Sequence, residues 1–148
     1  MTAQPPGAFD FPRPHLVELA VRPDDIDAYE HVNNAVYLTW LDRVAWSHSE
    51  SLGVPLAQCV ALRRGMAAQR IEIDYLRAAM RGDRIQAATW IVSVDGRLRA
   101  ERRFQIRRVA DGATLARARI DYVCINLDSG RAVRMPELFV RAYFVTVP

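Results

Sequence analysis

Between Asp25 and Tyr37 the chain reads Asp-Ile-Asp-Ala-Tyr-Glu-His-Val-Asn-Asn-Ala-Val-Tyr. Two aspartates, a glutamate, a histidine and two adjacent amides are therefore crowded together just ahead of an amphipathic stretch. A carboxylate so placed can attack a carbonyl or act as general base on water. His31 can orient a substrate oxygen, help position water, or hold the loop through a hydrogen bond. Asn33 or Asn34 suits a helix N-cap, because the side-chain oxygen accepts from free amides of the first turn. Turn chemistry explains one or two of these residues but not acid/base groups, a helix-start amide pair and a flanking aromatic together. The segment is read as the active site.

The elements that must position it follow from periodicity. From His15 to Arg22, Val17, Leu19 and Val21 alternate with Glu18, Ala20 and Arg22, the pattern of a strand, which Pro23 ends. From Ala35 to Leu52, Tyr37, Leu41, Val44, His48 and Leu52 fall on one side at helical spacing. Gly53 is placed to end that helix in the left-handed conformation, with Pro55 following. Beyond Met66 the pattern is antiparallel sheet: Arg70 to Tyr75, Arg84 to Val94, Arg97 to Arg108 and a last long strand through Tyr122. Asp95-Gly96 and Asp111-Gly112 mark its hairpins. Ala116 and Ala118 would let a helix approach closely, and Pro136 can begin a short terminal helix. The expected order is a strand, one long helix, then a meander of four strands. One helix covers only one face of a five-stranded sheet. The opposite face then calls for a second copy, which predicts a homodimer or a tetramer.

With 148 residues the chain fits one domain, 15–148, preceded by a loosely held tail over 1–14. No apolar run approaches the roughly 20 residues that span a bilayer, and the start lacks the pattern of a secretory signal. Cys59 and Cys124 stand far apart, which suits reduced thiols and a cytoplasmic location. No metal-ligand spacing occurs, so a metal is not expected, and the length leaves no room for a separate cofactor domain. Net charge is +3, and all 20 basic residues are arginine. They alternate with acids and apolar residues along the strands, without the aromatic patterns of RNA-binding modules, so nucleic acid is not the expected partner.

The motif Asp25-x-Asp27-x-x-x-His31-Val32-Asn33-Asn34-x-x-Tyr37, with Ile71-x-Ile73-Asp74-Tyr75-Leu76-Arg77 and Gly82-Asp83, resembles the hotdog-fold acyl-CoA thioesterases of the 4-hydroxybenzoyl-CoA thioesterase group. The likeness runs over roughly residues 15–126. It implies an α+β hotdog fold, a long central helix wrapped by a curved antiparallel sheet of about five strands, dimerised edge to edge with active sites at the interface. It also implies hydrolysis of an acyl-CoA thioester without metal or cofactor. The family's carboxylate falls on Asp27, and the backbone amide that polarises the carbonyl falls on Asn34. The same motif resembles acyl-carrier-protein thioesterases, and an acyl-CoA-binding protein without turnover is the non-enzymatic alternative.

Physical chemistry supports the transfer. A helix N-terminus carries roughly half a positive elementary charge and aims free N–H groups outward, which stabilises a developing oxyanion. The catalytic candidates are Asp27, His31 and Asn34. Asn33 and Tyr37 are candidate substrate contacts, each with a structural alternative in loop fixing or core. Arg77, Arg81 and Arg84 cluster around Gly82-Asp83 and are candidates for coenzyme A phosphates. Asp25 reads as a turn residue, His48 as a satisfied core histidine. Glu30 stands where many relatives have glycine, so the loop must carry a side chain through an unusual backbone angle.

Overall fold

The computed structural model describes residues 8–148. Strand β1 (His15–Ala20) and a short 3-10 turn (Pro23–Asp25) lead into helix α1 (Asn34–Ser51). Helix α2 (Leu56–Leu62) then precedes strands β2 (Arg64–Tyr75), β3 (Arg84–Val94), β4 (Arg99–Arg108) and β5 (Thr114–Asn126). Helix α3 (Glu137–Ala142) closes the chain, with Pro136 as its N-cap. The five strands form one antiparallel sheet in the order β1-β3-β4-β5-β2. This is the hotdog-like α+β arrangement expected, with α1 laid across the sheet.

Helix α1 begins and ends within a residue of its sequence pattern, and Gly53 follows it at φ +88°, in the left-handed region. Tyr37, Trp40, Leu41, Val44 and Ala45 are buried against Ile85, Ala87, Phe104, Ile106, Ala116 and Ile120 of the sheet. A second cluster joins Val54, Cys59, Ile91, Cys124, Met135 and Phe139 beyond the helix C-terminus. It needs α2 and α3, and α2 had no sequence signal: it spans two turns and its apolar residues show no one-sided stripe.

Three expectations are corrected. The four strands after α1 do not form a simple meander, because β2 pairs with β5 and not with β3. Its neighbour site on β3 is taken by β1, so the segment 76–83 crosses the end of the sheet. Leu76 and Arg77 N–H both bond Leu115 O there, and Arg108 reaches Ala78 O. These are tertiary contacts that no local pattern announces.

The loosely held tail is the second. Residues 1–7 lie outside the described residues, but Phe9 and Phe11 pack edge-on against Trp90, whose Nε1–H donates to Pro12 O at 3.0 Å. Asp10 forms a two-pronged ion pair with Arg117. An aromatic pair next to a buried tryptophan gains more from burial than a free tail retains in entropy.

That packing changes the third, the uncovered sheet face. The face away from α1 is covered at its centre by the chain's own residues 9–12. Farther along it carries an ion-pair network of Arg103, Glu101, Arg119 and Asp121. A second copy is not required there. The outer strands β1 and β2 each leave one edge without a neighbouring strand among the described residues.

Candidate functional site

The Asp27–His31 loop is a tight hairpin. Its arms meet at Ile26 and Val32, Asp27 N–H donates to His31 O at 2.8 Å, and Glu30 N–H donates to Asp27 O at 3.1 Å. Glu30 sits at φ +63°, the left-handed residue that a three-residue hairpin loop demands. The unusual angle expected at this position is therefore present, carried by glutamate. Asp27 Oδ1 accepts Tyr29 N–H at 2.9 Å, an Asx-turn contact that orients the carboxyl and leaves Oδ2 unengaged among the described residues. The Asp27 residue is half-buried, and the His31 side chain is exposed with no bond to another described residue.

The loop leads directly into α1. Asn33 N–H is tied to Asp25 O at 2.8 Å, and Asp25 Oδ2 takes Arg22 N–H, the turn role foreseen for Asp25. Asn33 is the N-cap: its Oδ1 accepts Ala35 N–H at 2.9 Å, and its carbonyl accepts Val36 N–H. The N–H of Asn34, first in the helix, has no acceptor among the described residues. The fold thus leaves the Asn34 amide open among the described residues at the positive end of an 18-residue helix.

Tyr37 is placed differently from a substrate contact. It is 2% exposed, and its hydroxyl accepts Ala79 N–H at 2.9 Å, so it forms the floor under the loop. Tyr75, part of the Ile71–Arg77 motif but given no role from the sequence, reaches the first residue of the helix. Its hydroxyl donates to Asn34 O at 2.9 Å and its ring meets Tyr37 edge-on, while the residue stays half exposed. It lies 41 residues from Asn34, and only the path of β2 brings the two together.

The arginine cluster docks on the same loop. Val32 N–H donates to Ala79 O, and His31 bridges Met80. The turn at Gly82 is held by Asp83, which accepts Met80 N–H and pairs with Arg108. Arg84 is paired with Glu18 at 2.7 Å. Arg77 and Arg81 are exposed, and their guanidinium groups have no partner among the described residues.

Farther along α1, His48 stacks on His15 at 4.9 Å and accepts a bond at Nδ1 from Arg102 at 2.7 Å. Burial, then Arg102, then His15 push its pKa down to about 3, so it is the neutral core histidine its sequence position indicated. Burial raises both cysteine thiols, and neither is a candidate nucleophile. A cleft of about 570 Å³ opens between this part of α1 and the sheet and is lined by Asp42, Trp46, Met66, Tyr122 and the buried Arg102.

Comparison with known proteins gives the family and the fold. Residues 21–143 match the family model of the thioesterase-like superfamily. The chain is 28% identical over 121 residues to the long-chain acyl-CoA thioesterase FadM of Escherichia coli (strain K12), covering 80% of this chain and 88% of that one. Among solved structures it resembles the YbaW probable thioesterase of Escherichia coli, at 26% identity and TM-score 0.73, covering 86% of this chain and 95% of that one. The fold also matches the Staphylococcus aureus protein SAV2348, solved in complex with CoA, at 19% identity and TM-score 0.80, over 95% and 93% of the two chains.

Proposed function

Since the chain belongs to the thioesterase-like superfamily, we propose that it is an acyl-CoA thioesterase whose carbonyl-polarising group is the Asn34 N–H and whose acid/base or nucleophilic group is Asp27. One observation carries this reading: Asn34 N–H has no acceptor among the described residues, and Asp27, with one carboxylate oxygen unengaged among them, lies on the hairpin that leads into that helix. A thioester carbonyl oxygen accepting from Asn34 N–H gains preorganised stabilisation as negative charge develops on it. Asp27 then takes a proton from water, hydroxide adds to the carbonyl carbon, the C–S bond breaks and the thiolate leaves to be protonated. Alternatively, Asp27 Oδ2 attacks the carbon, the C–S bond breaks to release the CoA thiolate, which is then protonated, and water cleaves the resulting anhydride. Both routes give a carboxylic acid and free CoA.

His31, exposed beside the site, is assigned to orienting the thioester or water. Arg77 and Arg81 are assigned to the phosphates of coenzyme A, because they alone of the three candidate arginines lack an ionic partner among the described residues. The substrate assignment has external support in FadM, an acyl-CoA thioesterase by name, and in a CoA-bound structural relative.

A homodimer is part of the proposal. Strand β2 is 12 residues long and lies at the sheet edge, with Ile71, Tyr75 and Leu76 at least 40% exposed. Such an edge offers unpaired backbone groups to a second copy. Light scattering should give at least twice the chain mass at micromolar concentration, and a monomer mass would remove this element. The function itself is tested with a chromogenic thiol assay over CoA and acyl-carrier-protein thioesters of matched acyl group. Release from CoA thioesters is the expected result; no release from any thioester overturns the proposal.

A further inference from the structure

Among the described residues, Arg102 is a cation buried without an anion. It rises from β4 into the cleft beside α1, 5% exposed, and lines that cleft with Ala45, Trp46 and Tyr122. Its guanidinium donates to His48 Nδ1 at 2.7 Å and Ser49 Oγ at 3.2 Å, and lies 6.0 Å from the centre of the Tyr143 ring. Tyr143 hydroxyl in turn donates to Ser49 Oγ at 3.0 Å. Every one of these partners is neutral: His48 is held unprotonated, and the rest are hydroxyls and a ring. The only acidic residue lining the cleft, Asp42, is exposed and forms no ion pair with Arg102.

Removing an arginine from water is costly unless a counter-charge replaces the lost hydration. A guanidinium carries five N–H donors in a planar fork matched to a carboxylate. Bonds to described residues account for two atoms of that fork. The walls of the cleft are largely apolar, with Ala45, Trp46, Met66 and Ile91 contributing. Apolar walls around a buried, uncompensated guanidinium describe a receptor for an apolar chain that ends in an anion.

The cleft is also in line with the open amide. Ala35, Leu38, Asp42 and Trp46 share one face of α1, and all four are exposed. From Asn34 to Ser49 the helix rises roughly 20 Å at about 1.5 Å per residue. An extended chain advancing about 1.2 Å per bond covers that span with some 15 or more bonds.

We propose that this cleft binds the carboxylate of a long apolar chain, paired to the Arg102 guanidinium. Two sources present the same chemistry. One is the distal carboxylate of a long ω-carboxyacyl thioester whose carbonyl sits at Asn34, and this version rests on the thioesterase reading. The other is the free fatty acid that such hydrolysis releases.

Trp46, at the cleft, reports binding by fluorescence, and Trp46→Phe identifies its signal. Titration of the full chain with dodecanoate should saturate, with dodecanol, the same chain bearing a neutral end, at least 10-fold weaker. Arg102→Met with a native circular dichroism spectrum should lose that difference. Equal binding of acid and alcohol to the wild type, or wild-type acid binding by folded Arg102→Met, overturns the proposal. Should Arg102→Met not fold, Ala100→Leu, which narrows the cleft while keeping Arg102, decides it: lost dodecanoate binding supports the site, unchanged binding removes it.

The source is read from kinetics. A kcat/KM at least 10-fold higher for an ω-carboxyacyl-CoA than for the plain acyl-CoA of equal length, abolished in Arg102→Met, assigns the site to the acyl group. Binding of dodecanoate with no such preference assigns it to the free acid. Absence of turnover on every thioester would overturn the enzymatic reading while leaving the dodecanoate result intact, so the two failures are distinct.

Discussion

Arg102 of β4 donates to Nδ1 of His48 of α1 at 2.7 Å, so a permanent cation is bonded to an imidazole that must stay neutral. In the folded chain the pKa of His48 is about 3, against 6.5 for the free side chain. Between those values the unfolded chain binds the extra proton, so stability is fully present above pH 6.5 and falls as pH drops toward 3. His15, stacked on it and also lowered, chiefly by burial, adds in the same direction. Discounted for partial exposure, the loss for His48 is on the order of 2 kcal/mol. Denaturation midpoints from pH 7 to pH 4.5 should fall in the wild type and flatten in His48→Gln. A flat wild-type profile would contradict the neutral assignment.

Asp27→Asn keeps an oxygen for the Tyr29 N–H and therefore the hairpin, while removing the charge needed for base or nucleophile. Turnover of an acyl-CoA should fall at least about 100-fold with thermal stability nearly unchanged. Equal rates in the two proteins would remove Asp27 from the mechanism.

The role of a backbone amide is tested with proline. Asn34 occupies the first helical position, where proline is tolerated because its missing N–H has no acceptor to lose. Asn33, at φ −56° and ψ 137°, already has the conformation that precedes proline. Asn34→Pro should lower kcat by about 100- to 1,000-fold, the usual loss for one oxyanion donor. Asn34→Ala, which keeps the N–H, should stay close to wild type. Similar rates for the two variants would count against the amide.

Arg77 and Arg81 have exposed guanidinium groups, unpaired among the described residues, on the turn that docks against the His31 loop. Replacing both by alanine should raise KM for CoA thioesters roughly 10-fold, a loss of about 1.4 kcal/mol, with kcat held. Thioesters of pantetheine, which lack the nucleotide phosphates, should be unaffected. A fall in kcat for both substrate types would mean that these arginines shape the loop instead.

Glu30 holds a left-handed conformation that glycine adopts without strain. Glu30→Gly should stabilise the protein by about 0.5–1 kcal/mol, or roughly 1–4 °C in Tm. A lower Tm would assign the glutamate side chain a stabilising contact in the assembled protein.

Much of the fold was legible from local pattern. The stripe Tyr37, Leu41, Val44 and His48 can bury itself only as a helix, and Asp-Gly pairs between alternating runs permit little besides hairpins. The Asp27-to-Asn34 cluster was legible for the same reason: a hairpin, an N-cap and a helix start are short-range structures, dictated by neighbours in sequence. What the sequence could not decide is everything set by contacts between distant residues. The partner of β2, the seat of Phe9 and Phe11 on Trp90, the phenol of Tyr75 above Asn34, and the meeting of Arg102 with His48 all depend on burial. Whether an arginine on a strand faces water or a closed cleft is invisible in its spacing. Only packing against α1 took the water from Arg102 and made it a site.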